Sequence, residues 1–134
     1  MHEAVSSGDH PIMFQNLNLP PGVAAPPTAA TFIAFTEGPA CDKNGDVYFT
    51  DIVNNRILKL DAATGRYSTF REPSGRANGL LFDAQGRLLA CEGNEFCPND
   101  GNRRVTRTDL KTGKVEVLID RWEGKRLNSP NDIA

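Results

Sequence analysis

From Phe35 onward, short apolar runs alternate with glycine-containing turns, and no run is long enough or regular enough for a helix. Stretches bounded by such turns read as short strands. The pattern predicts strands near Gly38–Cys41, Val47–Thr50, Arg56–Leu60 and Tyr67–Phe70, then near Gly79–Phe82, Leu88–Cys91, Val105–Thr108 and Val115–Ile119. Asn44-Gly45, Gln85-Gly86, Thr64-Gly65 and Thr112-Gly113 supply the glycines that tight hairpins need. Val115, Val117 and Ile119 alternate with Glu116 and Leu118, which predicts a largely buried last strand. No segment sustains a 3.6-residue apolar period. The chain is all-β.

The two sets of four strands repeat one another. Gly38 to Phe49 aligns without gaps on Gly79 to Ala90, with Asp42 and Asp83, like Gly45 and Gly86, 41 positions apart. Leu60-Asp61 to Gly65 recurs as Thr108-Asp109 to Gly113 at a separation of 48, so the second copy carries seven extra residues. These fall between Cys91 and Arg104, where Glu92 to Gly101 has the composition of a loop. A unit of roughly 40 residues and four antiparallel strands is the blade of a β-propeller. Blade one spans about 37–70 and blade two about 78–119, and 128–134 reads as the opening strand of a third. Two blades cannot close a ring, so the chain is expected to be the first part of a larger propeller. The flank of blade two and the strand beginning at Asn131 are then expected to lack partners. A two-sheet sandwich offers no reason for turn glycines at a fixed period.

Composition narrows the class. Residues 1–31 carry five of the nine prolines and form an irregular arm before the propeller portion at 32–134. A formal charge of -2 with scattered Lys and Arg argues against nucleic acid as a partner, and no apolar run approaches the roughly 18–20 residues of a membrane span. The arm lacks the basic and apolar regions of a secretory signal, so a cytoplasmic location is expected, with periplasm and secretion left open. No obligate protein partner is evident. Cys41, Cys91 and Cys97 are an odd set: a Cys91–Cys97 disulfide and three reduced, buried thiols are both open readings, while zinc spacings are absent.

The repeat also aligns candidate chemistry. Glu37, Asn78 and Asn131 occupy one phase, each at the entrance to an innermost strand. In a propeller those entrances converge on the channel, gathering one carboxylate and two amides around an axis. Such oxygen donors suit a hard cation, Ca²⁺ or Mg²⁺, used as a Lewis acid on a carbonyl. The plainer reading is a solvated loop acid and two turn-forming asparagines. Asp51 and Arg56 read as a structural pair, Asn99-Asp100 as a loop coincidence, and Trp122 as either a channel-mouth group or a packing anchor. No Ser, Cys or His is placed as a nucleophile with its base.

Glu37-Gly-Pro39, Val47-Tyr-Phe-Thr-Asp51, Ala77-Asn-Gly79, Asp83-Ala-Gln-Gly-Arg87, Arg103-Arg-Val-Thr-Arg107 and above all Glu123-Gly-Lys-Arg-Leu-Asn-Ser-Pro-Asn-Asp132 resemble the gluconolactonases of the SMP-30 family. The resemblance runs from about Phe35 to the end. It implies a six-bladed propeller that hydrolyses a small sugar lactone with one divalent ion, Ca²⁺ first, with Mg²⁺, Mn²⁺ or Zn²⁺ as alternatives. It makes Glu37 a metal ligand, Asn131 a metal or substrate contact, and Asn78 and Asn128 substrate contacts. It puts the general base in later blades, so the chain alone is expected to be inactive. Related propellers that hydrolyse aryl esters or organophosphates, or that only bind, are the competing readings.

Overall fold

The computed structural model describes residues 35–93 and 101–134. The irregular arm, Cys97 and Asn99-Asp100 lie outside the described residues. Two four-stranded antiparallel sheets form the body. The first runs in order β1 (Thr36–Cys41), β2 (Val47–Asp51), β3 (Arg56–Leu60), β4 (Tyr67–Arg71). The second runs β5 (Ala77–Phe82), β6 (Leu88–Glu92), β7 (Arg104–Thr108), β8 (Val115–Ile119). All eight predicted strands are present, most of them a residue or two longer than the apolar pattern indicated.

Aspartates build the turns between them. Asp42 Oδ1 accepts the backbone N–H groups of Asn44 at 2.8 Å and Asp46 at 3.1 Å, and Asp83 Oδ1 accepts those of Gln85 and Arg87, both at 2.9 Å. A carboxylate that bonds the backbone two residues on replaces the ladder where the chain reverses. Gly45 and Gly86 follow with φ of 88° and 73°, a region side chains resist. At the turns of Gly65, Gly86 and Gly113 a methyl group would meet nothing within 4 Å, so these hairpins stand free in solvent.

The core lies between the sheets. Tyr48 and Ile57 of the first and Ala77, Leu80, Leu88 and Ala90 of the second form one buried cluster. The Tyr48 ring meets Phe70 and Phe82 edge-on at 5.0 and 5.1 Å, tying both sheets to one aromatic centre. A buried polar network adds a second tie. Glu92, 1% exposed, accepts from Arg71 at 2.8 Å, Arg104 at 2.7 Å, Asn102 at 2.6 Å and Thr106 at 2.8 Å. Arg71 reaches it from β4 of the other sheet. Burial pulls the Arg71 guanidinium below its ordinary range, and the Glu92 charge opposes that. Glu92 is therefore the buried end of β6 and not part of the inserted loop. Asp51 and Arg56 make the expected structural pair at 2.9 Å.

Three expectations are corrected. The last strand, β8, is exposed along its whole length, because it is the outer strand of its sheet and no neighbouring element among the described residues covers it. Segment 128–134 forms no strand, yet it is not without partners: Gly79 N–H donates to the Asn131 carbonyl at 2.7 Å. Trp122 is no packing anchor. It is 69% exposed on a small hairpin, β9 (Arg121–Trp122) and β10 (Lys125–Arg126), that the apolar pattern did not indicate.

Candidate functional site

The inner strands β1 and β5 each carry a bulge where the candidate residues sit. Pairing slips between Glu37 and Ala40 against β2, and between Ala77 and Leu80 against β6. A bulge re-aims side chains and ends regular pairing, which frees backbone for the neighbouring unit. At the first bulge Gly38 has φ 47°, and a Cβ there would collide with the Asn78 carbonyl oxygen and lie 2.6 Å from the Gly79 Cα. At the second, a Cβ on Gly79 would lie 2.8 Å from both the Asn131 oxygen and the Asp132 Cα. The step from unit one to unit two is thus repeated from unit two to segment 131–132. Only glycine permits either approach.

Glu37, Asn78, Asn131 and Asp132 line one cleft of about 430 Å³. Asn78 is 7% exposed, and its amide nitrogen donates to Asn131 Oδ1 at 2.7 Å. Glu37 is half-buried and Asn131 exposed. Asn128 stands apart: it is exposed, does not line this cleft, and its backbone carbonyl accepts from Arg103 Nε at 2.8 Å. Arg103 also bonds the Leu127 carbonyl at 2.8 Å, so it anchors the chain leading to Asn131. Cys91 of β6 is 1% exposed, and its thiol is pushed up to about 11 by burial and then by the charge of Asp132.

The oxygen donors here have the hardness a Ca²⁺ or Mg²⁺ ion prefers. They are a partial set. Glu37 and Asp132 are the carboxylates lining the cleft, and no group of three His, Cys, Asp or Glu residues converges among the described residues. Glu37 and the amide oxygens fit a hard ion as part of the six to eight ligands that Ca²⁺ takes.

Sequence reasoning missed two participants. Thr50 is fully buried, and its Oγ1 lies 3.0 Å from the Glu37 carbonyl oxygen and 3.1 Å from that of Asn78. Asp132 sits on the cleft wall beside Asn131. The repeat contained a signal for Thr50, since it aligns with Cys91, 41 positions on.

Repeated four-stranded antiparallel units whose inner strands open onto one cleft are blades of a β-propeller. Comparison with known proteins agrees. The SMP-30/gluconolactonase/LRE-like region matches residues 35–134, and the chain belongs to that family. A gluconolactonase from Zymomonas mobilis is 32% identical over 111 residues, covering 78% of this chain and 31% of that protein. A gluconolactonase structure from Xanthomonas campestris is 35% identical over 75% of this chain and 31% of its own, with a TM-score of 0.65. A calcium-binding regucalcin from Agrobacterium tumefaciens shares the fold at 19% identity and a TM-score of 0.52, over 65% of this chain and 26% of its own. The chain thus spans about a third of the length of the gluconolactonases it matches.

Proposed function

We propose that this chain supplies one side of the active site of a sugar-lactone hydrolase acting on δ-gluconolactone or a close analogue, with Ca²⁺ as the bound ion. One observation carries the reading: Glu37 and Asn78 from the two repeat units and Asn131 from the segment that follows them line the same cleft. Two relatives that bear the name gluconolactonase support the substrate class. A sugar lactone offers one carbonyl, a ring oxygen and several hydroxyls. The amides of Asn78 and Asn131, each both donor and acceptor, suit the hydroxyls and orient the ring. Glu37, with an amide oxygen beside it, would hold the ion. When bound, the ion supplies Lewis-acid polarisation of the lactone carbonyl.

Hydrolysis adds one water to the carbonyl carbon and breaks the ring C–O bond, giving a hydroxy acid. Each turnover therefore releases a proton near neutral pH. A pH-stat assay of the complete propeller that carries this chain should show turnover of δ-gluconolactone that EDTA abolishes and Ca²⁺ restores. Glu37→Gln should lower kcat/KM by about 100-fold or more, the scale of losing one electrostatic contact to the reacting group. Turnover indifferent to both EDTA and Glu37→Gln would remove the reading.

A further inference from the structure

We infer that Thr50 is a positioning residue of the cleft, holding Glu37 and Asn78 at a fixed separation across the junction between the two sheets; the inference rests on the lactone-hydrolase reading above. Thr50 lies in β2, directly opposite Glu37 in the ladder. It is fully buried, and its hydroxyl faces two backbone carbonyls, that of Glu37 at 3.0 Å and that of Asn78 at 3.1 Å. Carbonyl oxygens only accept, and a hydroxyl has one proton. One proton is therefore shared between two acceptors from different sheets, at two residues that line the cleft.

The junction has little slack. A Cβ on Gly38, next to Glu37, would already collide with the Asn78 carbonyl. Two carbonyl oxygens converge on one hydroxyl, and its proton is the donor that Thr50 supplies between them. A valine of nearly the same shape would keep the packing and remove the donor. The aligned position in the second unit shows a different solution. Cys91 stands there with only a weak S–H donor, and the next junction is held by the Gly79 N–H to Asn131 carbonyl bond and the Asn78 to Asn131 side-chain bond, both 2.7 Å. The hydroxyl thus joins the first junction, while bonds between the site residues themselves join the second.

The consequence reaches the substrate through Asn78. If the Asn78 backbone shifts, the geometry of its bond to Asn131 shifts with it, and a displacement of about 1 Å at a positioned group costs up to about 100-fold in rate. The test compares wild type, Thr50→Val and Thr50→Ser in the complete propeller that carries this chain, by three readouts: δ-gluconolactone kinetics, thermal midpoint, and NMR exchange of the Asn78 side-chain amide protons. Expected for Thr50→Val is a fall in kcat/KM of about 10- to 100-fold, carried mainly by kcat. Its Asn78 amide protons should exchange faster, while the folded spectrum is otherwise kept. Thr50→Ser, which keeps the hydroxyl, should recover both properties.

If Thr50→Val leaves the Asn78 exchange unchanged, or if Thr50→Ser is as impaired as Thr50→Val, the inference is overturned. A wild type without lactone turnover overturns the lactone-hydrolase reading instead, and the exchange comparison still decides whether Thr50 sets the position of Asn78.

Discussion

Asp42 and Asp83 do the same work in successive units, and their likeness is visible in the sequence because turn chemistry is local. Each bonds backbone within four residues of itself. Thr50 and Cys91 are different. They align in the repeat, but the Thr50 hydroxyl reaches carbonyls 13 and 28 positions away on two sheets, so no local pattern reveals it. Glu37, Asn78 and Asn131 fell between these cases. Their shared phase was legible, while the bond from Asn78 to Asn131, 53 positions on, was not. Cysteine chemistry gives a prediction at this scale. Cys41 is exposed and Cys91 buried with its thiol pushed up to about 11, so almost none of Cys91 is thiolate near pH 8. Iodoacetamide should label Cys41 rapidly in the folded protein and Cys91 only on unfolding, as peptide mass mapping would record. Equal labelling of both in the native state would contradict the burial of β6.

Among elements, the strands were legible because glycines and aspartates punctuate them, and the inter-sheet contacts were not. The Glu92 network shows why. Arg71 looks like any charged strand terminus, and only the fold brings it to a carboxylate 21 positions away on another sheet. The β9–β10 hairpin escaped for a related reason: its strands are two residues long, and its turn places Glu123 at φ 48°, a conformation glutamate rarely signals. The exposed β8 shows that apolar alternation reports the capacity to be buried, not burial itself. Removing the hub tests the network. Glu92→Ala strips the carboxylate from Arg71 and Arg104, and losing one partner of a buried ion pair costs about 3–5 kcal/mol. Urea unfolding should show that loss, and a change under about 1 kcal/mol would mean water already serves these groups.

For the molecule as a whole, acid should be the vulnerable direction. Asp46 is held below the ordinary carboxylate range by its hydrogen bond with Lys59 and then by the Ala62 N–H, Asp61 by Thr64, Asp109 by the Thr112 and Lys111 N–H groups, and Glu116 by Arg107. Asp83 is also lowered: burial pushes it up, and its bonds to Arg87 and Gln85 outweigh that. A folded pKa below the unfolded one means the unfolded chain binds more protons. The stabilisation is then present above the ordinary values of 3.8 for Asp46 and 4.5 for Glu116, and is lost as pH falls through the lower folded values. Thermal midpoints should be flat from about pH 7 to 5 and drop progressively below about pH 4. A midpoint that holds steady to pH 2 would show that these bonds do not persist in solution. Glu116 stands in solvent beside Arg107, so salt should blunt its share of the effect.

The free-standing turns at Gly65, Gly86 and Gly113 have a practical consequence. Each strand carries the chain some 17 Å, at about 3.3 Å per residue, and these turns lie at the end of the sheets opposite Glu37, with open space around every one of them. They are natural attachment points for a fluorophore, an affinity peptide or a surface tether, and an immobilised protein held there would present its cleft outward to the bulk solution.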